Sequence, residues 1–399
     1  MDTAFQYKSS PARIHVGEGA LTRLTKVVDR VGAERAFVVC GQTVAHRTDL
    51  LNRIQEELGE RYAGAFDGVQ SESPLPSVRK GVQAASDADA DLLIAVGGGS
   101  AVVTTRTITI LLAEEGSPRE LCTQYPPDDE PVSPRLKEPK LPNIVVLTTP
   151  TTAANRAGAA IQDDQNPRRL EFFDPKTMPK GVFVDPEALL TAPTDLYRKT
   201  SITTFCGLVD TLQSPWLNAF SLADLRQALE NTRTHVPAIQ SQPEDPEIRI
   251  QLSLAALLAN RASQARSYDG SVGSMASGLV HQMQIQYDHV HQGAASAALA
   301  VPSMRFNRKT LLEEQARLAE IWGVDREGAT DEQKAEAATE AIEAFLEEVN
   351  APLRIRDLDV PKSDLELIAE GAMEDYFLRT NPREIESAEQ LTEVLYEAW

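Results

Sequence analysis

The sequence predicts an α/β domain built on a parallel sheet, followed by an all-helical domain. Three observations carry that prediction. Over residues 1–187 short β-rich runs alternate with segments of helical spacing, and strands that alternate with helices pair in parallel through right-handed crossovers. Over residues 188–399 strand-like alternation nearly disappears while long segments keep helical spacing. Finally, the apolar run Asp91-Leu92-Leu93-Ile94-Ala95-Val96 stops in Gly97-Gly98-Gly99-Ser100, after which the chain reads as a helix.

Strand candidates are residues 35–40, 62–66, 91–96, 143–147 and 181–184, with 62–66 the weakest in β-formers. Helical spacing covers 48–58 through Leu50, Leu51, Ile54 and Leu58, then 77–88 and 100–115. Residues 125–142, rich in Pro, Asp and Glu, read as a surface loop. The second half carries helical patterns at 246–265, 309–322, 331–349 and 388–399. One boundary near residue 187 gives two domains, 1–187 and 188–399. A ligand of an open α/β sheet sits outside the carboxyl ends of the strands, so a cleft between the two domains is expected there.

Composition narrows the function. The chain of 399 residues has a formal net charge of −20, which argues against nucleic acid and anionic membranes as partners. No window approaches the roughly 18 apolar residues of a membrane span, and the N-terminus lacks the basic and apolar regions of a signal peptide. Three scattered cysteines (Cys40, Cys122, Cys206) form neither a disulfide framework nor a cysteine-rich zinc site. A cytoplasmic protein acting on a small molecule is expected.

Two features suggest chemistry. Gly97 to Ser100 have the layout of a phosphate cradle, where glycines admit the backbone close to a pyrophosphate and the following helix aims N–H groups at it; a plain tight turn is the competing reading. Of six histidines, His281, His289 and His291 fall within eleven residues. Two imidazoles with one carboxylate describe a Zn²⁺ or Fe²⁺ site, and Asp210, in an apolar stretch, is the carboxylate candidate. Asp210 equally suits a helix cap or an ion pair, and the histidines equally suit hydrogen-bonded core or surface positions.

Several separated segments then match one family in order. Ala95 to Ser100 resembles its GGGS phosphate loop, Thr149-Pro150-Thr151-Thr152 its I-P-T-T, and Phe183-Val184-Asp185-Pro186-Glu187 its V-D-P-E. Asp210-Thr211-Leu212 resembles D-A-L, Gly278-Leu279-Val280-His281 resembles G-L-x-H, and Val301 to Asn307 and Asn381-Pro382-Arg383 match two later motifs. The chain thus resembles the iron-containing alcohol dehydrogenases, a family that includes glycerol dehydrogenases and maleylacetate reductases. The resemblance implies a Rossmann-like nucleotide domain binding NAD or NADP through Gly97, Gly98, Gly99, Ser100, Gly41, Thr149, Thr151 and Thr152. It implies a helical domain in which Asp210, His281 and His291 hold a divalent metal, or in which the histidines meet substrate directly. It further implies reduction of a small carbonyl compound or oxidation of the alcohol, in a homodimer.

Departures from the pattern qualify that expectation. Val103 and Arg106 stand where the family has aspartate and lysine, and Ala154, Arg156 and Gly158 replace two glycines and a glutamate. Arg106 and Arg156 are therefore candidates for binding a substrate carboxylate or cofactor phosphate. Ser214 replaces a fourth metal ligand and Ile285 a second histidine, leaving His289 as a candidate proton route. The ten-residue interval from His281 to His291 resembles the maleylacetate reductases, which work without metal. Gly41 removes an acidic residue that would repel a 2′-phosphate, which keeps NADP open. The alternative reading is a divergent member with non-redox, Lewis-acid chemistry: a lyase, hydrolase or cyclase.

Overall fold

The computed structural model describes residues 5, 12–126, 129–163, 165, 169–264 and 274–399. The chain forms two compact units, one of Ser10–Tyr197 with Glu244–Asn260, the other of Met1–Ser9, Arg198–Pro243 and Arg261–Trp399.

The first unit is built on β1 (Arg13–Val16), β2 (Ala36–Cys40), β3 (Tyr62–Phe66), β4 (Leu92–Gly97), β5 (Asn143–Leu147), β6 (Gly158–Ile161), β7 (Leu170–Phe173) and β8 (Gly181–Val184). Six of these form one sheet in the order β1-β8-β5-β4-β2-β3, with every neighbouring pair parallel. Strands β2, β4, β5 and β8 are buried along their whole length, as continuous apolar runs in a two-sided parallel sheet should be. Leu24, Leu50 and Ile54 cover one face, and Val78, Ile108 and Ile110 the other.

The topology fixes where a ligand belongs. From β2 the chain moves outward to β3, whereas from β4 it moves the opposite way to β5. The crevice where the direction reverses lies between the carboxyl ends of β2 and β4, the usual ligand position in such sheets. Gly41 and the Gly97–Ser100 turn stand at those two ends.

All five expected strands form, and β1, β6 and β7 are additions. β1 is four residues long, lies at the sheet edge and pairs with β8 far along the chain; β6 and β7 form a small antiparallel hairpin whose first strand reads Gly-Ala-Ala-Ile. β6 carries one β-branched residue and β7 none, whereas β1 carries Ile14 and Val16 but pairs only with β8, far along the chain.

The division of the chain also differs from a single cut near 187. Residues 244–260, most of the helix Pro246–Gln264, are compact with the first unit. Arg249, buried at 1% exposure, donates to the carbonyls of Leu189 and Ala192 at 2.7 Å each. Those are carbonyls at and just beyond the end of the helix Pro186–Leu190, where the Leu189 carbonyl also accepts from the Ala192 amide at 3.4 Å. The last residue of the expected 246–265 helix lies outside the described residues.

The second unit is helical, with no strand among its described residues. Leu279, Met283, Leu299, Ile368 and Leu395 sit in its core. Asn307 and Asn381 exchange side-chain hydrogen bonds in that core, and Asn381 also binds the Arg383 carbonyl and the Met275 amide. The motifs at 301–307 and 381–383 thus tie helices together. Among the described residues no helix is long and apolar enough to cross a membrane.

Candidate nucleotide and histidine sites

In the first unit the site grows from the end of β4. Gly97 adopts φ 150°, a conformation that residues with a Cβ rarely take. A Cβ on Gly98 would sit 2.5 Å from Thr149 Oγ1, and one on Gly99 would sit 3.1 Å from Thr151 Oγ1. The turn is therefore packed closely against the segment following β5. The helix Gly99–Ala113 starts here with Gly98 as its N-cap and no side-chain cap on its first turn. Its leading N–H groups lie in a partly exposed turn, the arrangement that binds phosphate. The close approach of the threonines gives that cradle its shape, and the chain's residues fit a dinucleotide phosphate. Thr149 itself is buried behind Gly98, so it supports the turn from below. Thr151 accepts a hydrogen bond from the Ala153 amide at 3.1 Å, and Thr152 lies beside it in the same turn.

Arg106 corrects an expectation. The side chain is buried at 1% exposure, and its guanidinium donates to the Gly158 carbonyl at 2.6 Å and the Ala153 carbonyl at 2.9 Å. Burial, with a smaller push from the charge of Arg156, pulls the group down to about 9. Arg106 thus clasps both ends of the 153–158 segment and is not placed to receive a substrate carboxylate. Arg156 is exposed, and its Nε donates to Asn260 Oδ1, while Asn260 donates to Asn155. The arginine that replaced a glycine is thereby held by the helix Pro246–Gln264.

In the second unit, His281 lies on the helix Met275–Gln286. Gly278 is one turn earlier on the same face, and a Cβ there would collide with Leu378. The glycine lets this helix close on the segment that carries Asp375, and His281 Nδ1 meets Asp375 Oδ2 at 2.8 Å. A carboxylate only accepts, so Nδ1 carries the proton and Nε2 keeps the lone pair. Asp375 also caps the short helix Tyr376–Arg379 through the Phe377 amide at 2.9 Å. Sequence reading missed Asp375; its only local mark is an acid ahead of a short apolar segment.

His291 is the N-cap of the helix Gln292–Asn307, where Nδ1 accepts from the Gly293 amide at 3.1 Å. A neutral ring so engaged carries its proton on Nε2. His289 is exposed and its Nε2 pairs with the Leu358 carbonyl at 3.1 Å, which makes it a surface anchor and not a proton route. Asp210 lies at the end of the helix Thr194–Leu212 and is bonded by the Ser274 hydroxyl. Burial pushes its carboxyl up to about 6, against the opposing effect of that hydrogen bond.

Among the described residues no three His, Cys, Asp or Glu side chains are gathered to hold a metal ion. Asp210, His281 and His291 each have a protein partner, and the His291 nitrogen that points away from its cap is the protonated one. As placed, the three do not form one donor group, although His281 keeps on Nε2 a lone pair that an ion could use, and no reaction step rests on an ion.

Comparison with known proteins agrees along the full length. Lactaldehyde reductase from Escherichia coli (strain K12) is 27% identical, with 96% of this chain and 97% of that protein covered. The NAD-dependent methanol dehydrogenase of Bacillus methanolicus is 24% identical, with 94% of each covered. The crystal structure of a 1,3-propanediol oxidoreductase superposes with a TM-score of 0.87 at 22% identity, covering 99% of this chain and 100% of that one. These relatives are oxidoreductases, and the non-redox alternative finds no support among them. The family model for iron-containing alcohol dehydrogenase matches residues 11–186 and the model for its C-terminal region matches 208–399; the chain belongs to the iron-containing alcohol dehydrogenase family and is an oxidoreductase enzyme.

Proposed function

We propose that this enzyme reduces a small aldehyde or ketone, or oxidises the matching alcohol, with NAD or NADP as the hydride carrier. The observation that carries the reading is the uncapped start of the helix Gly99–Ala113 at the carboxyl end of β4, on the switch crevice of the sheet. The bound nicotinamide supplies or accepts the hydride. Gly97, Gly98, Gly99 and Ser100 hold the pyrophosphate through main-chain N–H groups, with Thr149, Thr151 and Thr152 shaping the turn. Gly41 leaves room at the adjacent strand end.

The second requirement is a proton for the carbonyl oxygen. We assign it to His281. Asp375 orients the ring through Nδ1–H, so Nε2 takes the proton of the alcohol in oxidation and, once protonated, returns it to the carbonyl oxygen in reduction. Arg156 is the residue we assign to a carboxylate on the substrate or a phosphate on the cofactor. A homodimer in the cytoplasm is the setting that this reading expects.

The test is a titration of the purified protein with NADH and NADPH by fluorescence. Tight binding of at least one nucleotide, lost in Gly98→Val, is the expected outcome; a chain that binds neither is not a dehydrogenase. Metal content of protein purified without chelator, compared with His281→Ala, tests the Asp210, His281 and His291 donor set: equal content in both removes His281 from it.

A further inference from the structure

Gly41 leaves the end of β2 without the acidic side chain that commonly reads a ribose 2′-hydroxyl in dinucleotide sites, yet an acid stands on the neighbouring strand. Asp67 is the first residue past β3, and the ends of β2 and β3 are stitched together beyond the sheet. Gly41 bridges Gly68, and the Val69 amide donates to the Cys40 carbonyl at 3.2 Å. Asp67 thus lies alongside the Cys40–Gly41 end of β2. Its charge reaches that end, since it adds to the burial that holds the Cys40 thiol high. The carboxylate is 42% exposed, and His46, on the helix Gln42–Arg47 that begins at Gly41, fixes it at 2.6 Å.

From β4 the sheet order runs to β2 and then β3. A dinucleotide whose pyrophosphate sits on Gly97–Ser100 extends its adenosine ribose along that direction. We infer that Asp67, oriented by His46, takes the place of the missing acid at Gly41, accepts the ribose 2′-hydroxyl and rejects a 2′-phosphate, making the enzyme NAD(H)-selective. A carboxylate accepts a hydroxyl proton but repels a dianionic phosphate at the same position. His46 has one nitrogen committed to Asp67, so it orients the acid and does not serve as a phosphate ligand. This inference rests on the nucleotide reading above and assigns its specificity.

The experiment measures dissociation constants for NADH and NADPH on the full-length wild type, Asp67→Asn, His46→Glu and the double variant Gly41→Asp/Asp67→Asn. The wild type should bind NADH more tightly. Asp67→Asn should shift the NADPH-to-NADH affinity ratio toward NADPH by about tenfold or more, the loss of one charged contact. His46→Glu adds charge beside Asp67 and should shift the ratio the other way. Gly41→Asp should restore NADH preference in the Asp67→Asn background, because a Cβ at Gly41 meets nothing closer than the Val69 carbonyl at 3.5 Å. A wild type that prefers NADPH, or a ratio unmoved by Asp67→Asn and His46→Glu while both nucleotides bind, overturns the inference and leaves the nucleotide site standing. A wild type that binds neither nucleotide overturns both.

Discussion

The glycine turn after β4 and the histidine segment of the second unit differ in what their polar groups already do. At the turn, the first N–H groups of the helix Gly99–Ala113 have no side-chain cap, although the surrounding backbone is tightly packed. In the second unit, Asp210 is bonded to Ser274, His281 to Asp375, His289 to Leu358 and His291 to Gly293. Donors left open in a rigid frame point to a ligand the protein does not itself supply. Side chains that satisfy one another point first to architecture, and of these His281 is the one held by a carboxylate, with its second nitrogen suited to proton transfer. Residue type and spacing made the two regions look equally functional; the hydrogen bonds separate them.

Substitutions in the two regions should have effects of different size. The largest effect is expected at the turn: Gly98→Val places side-chain atoms where Thr149 Oγ1 already lies and should weaken nucleotide binding about 100-fold, as read by NADH fluorescence. His281→Ala should lower kcat by about 100-fold with nucleotide affinity unchanged; a matching loss of nucleotide affinity would mean that the two regions are not functionally separate. Arg106→Leu strands the Ala153 and Gly158 carbonyls and should cost about 2–3 kcal/mol in chemical denaturation, whereas Arg156→Leu releases the buried Asn260 Oδ1 and should cost about 1 kcal/mol.

Asp210→Asn gives a pH-dependent result. Its folded carboxyl is raised to about 6 from 3.8, so the acid contributes stability fully below pH 3.8 and loses it as pH rises through 6. In chelator-treated protein the asparagine should therefore stabilise at pH 8, by on the order of 2 kcal/mol, and give no gain at pH 4. If adding Zn²⁺ or Fe²⁺ makes the wild type the more stable of the two at pH 8, Asp210 ligates metal. The smallest effect belongs to His289→Ala, which should change kcat less than about twofold and stability by about 0.5 kcal/mol.

The sheet was legible in the sequence because β2, β4, β5 and β8 are apolar apart from Asn143 at the start of β5, and that pattern is local. β1 and the β6–β7 hairpin were not, since their stability comes from partners and not from their own composition. The glycine turn was legible because strand, glycines and helix are contiguous. The histidine region misled through proximity: His289 and His291 lie close to His281 in sequence, but the residue that completes His281 is Asp375, 94 positions away. Arg106 misled because an unusual charge suggested a ligand when its partners were two carbonyls, which side-chain patterns do not reveal. Asn307 and Asn381 marked the family while serving as a buried cross-link.

Arg249 bears on the order in which the polypeptide is made. The first unit contains every strand by residue 184, yet its compact body includes 244–260. During synthesis the sheet must emerge and wait for some sixty further residues before Arg249 can close the carbonyls of Leu189 and Ala192 and Ser253 can meet the Tyr197 hydroxyl. A fragment stopped at 197 should be a sticky, protease-sensitive intermediate, and one extended through 264 should be markedly more resistant. The nucleotide half of this enzyme is thus not a detachable module: its last piece is threaded through the gene of the other half.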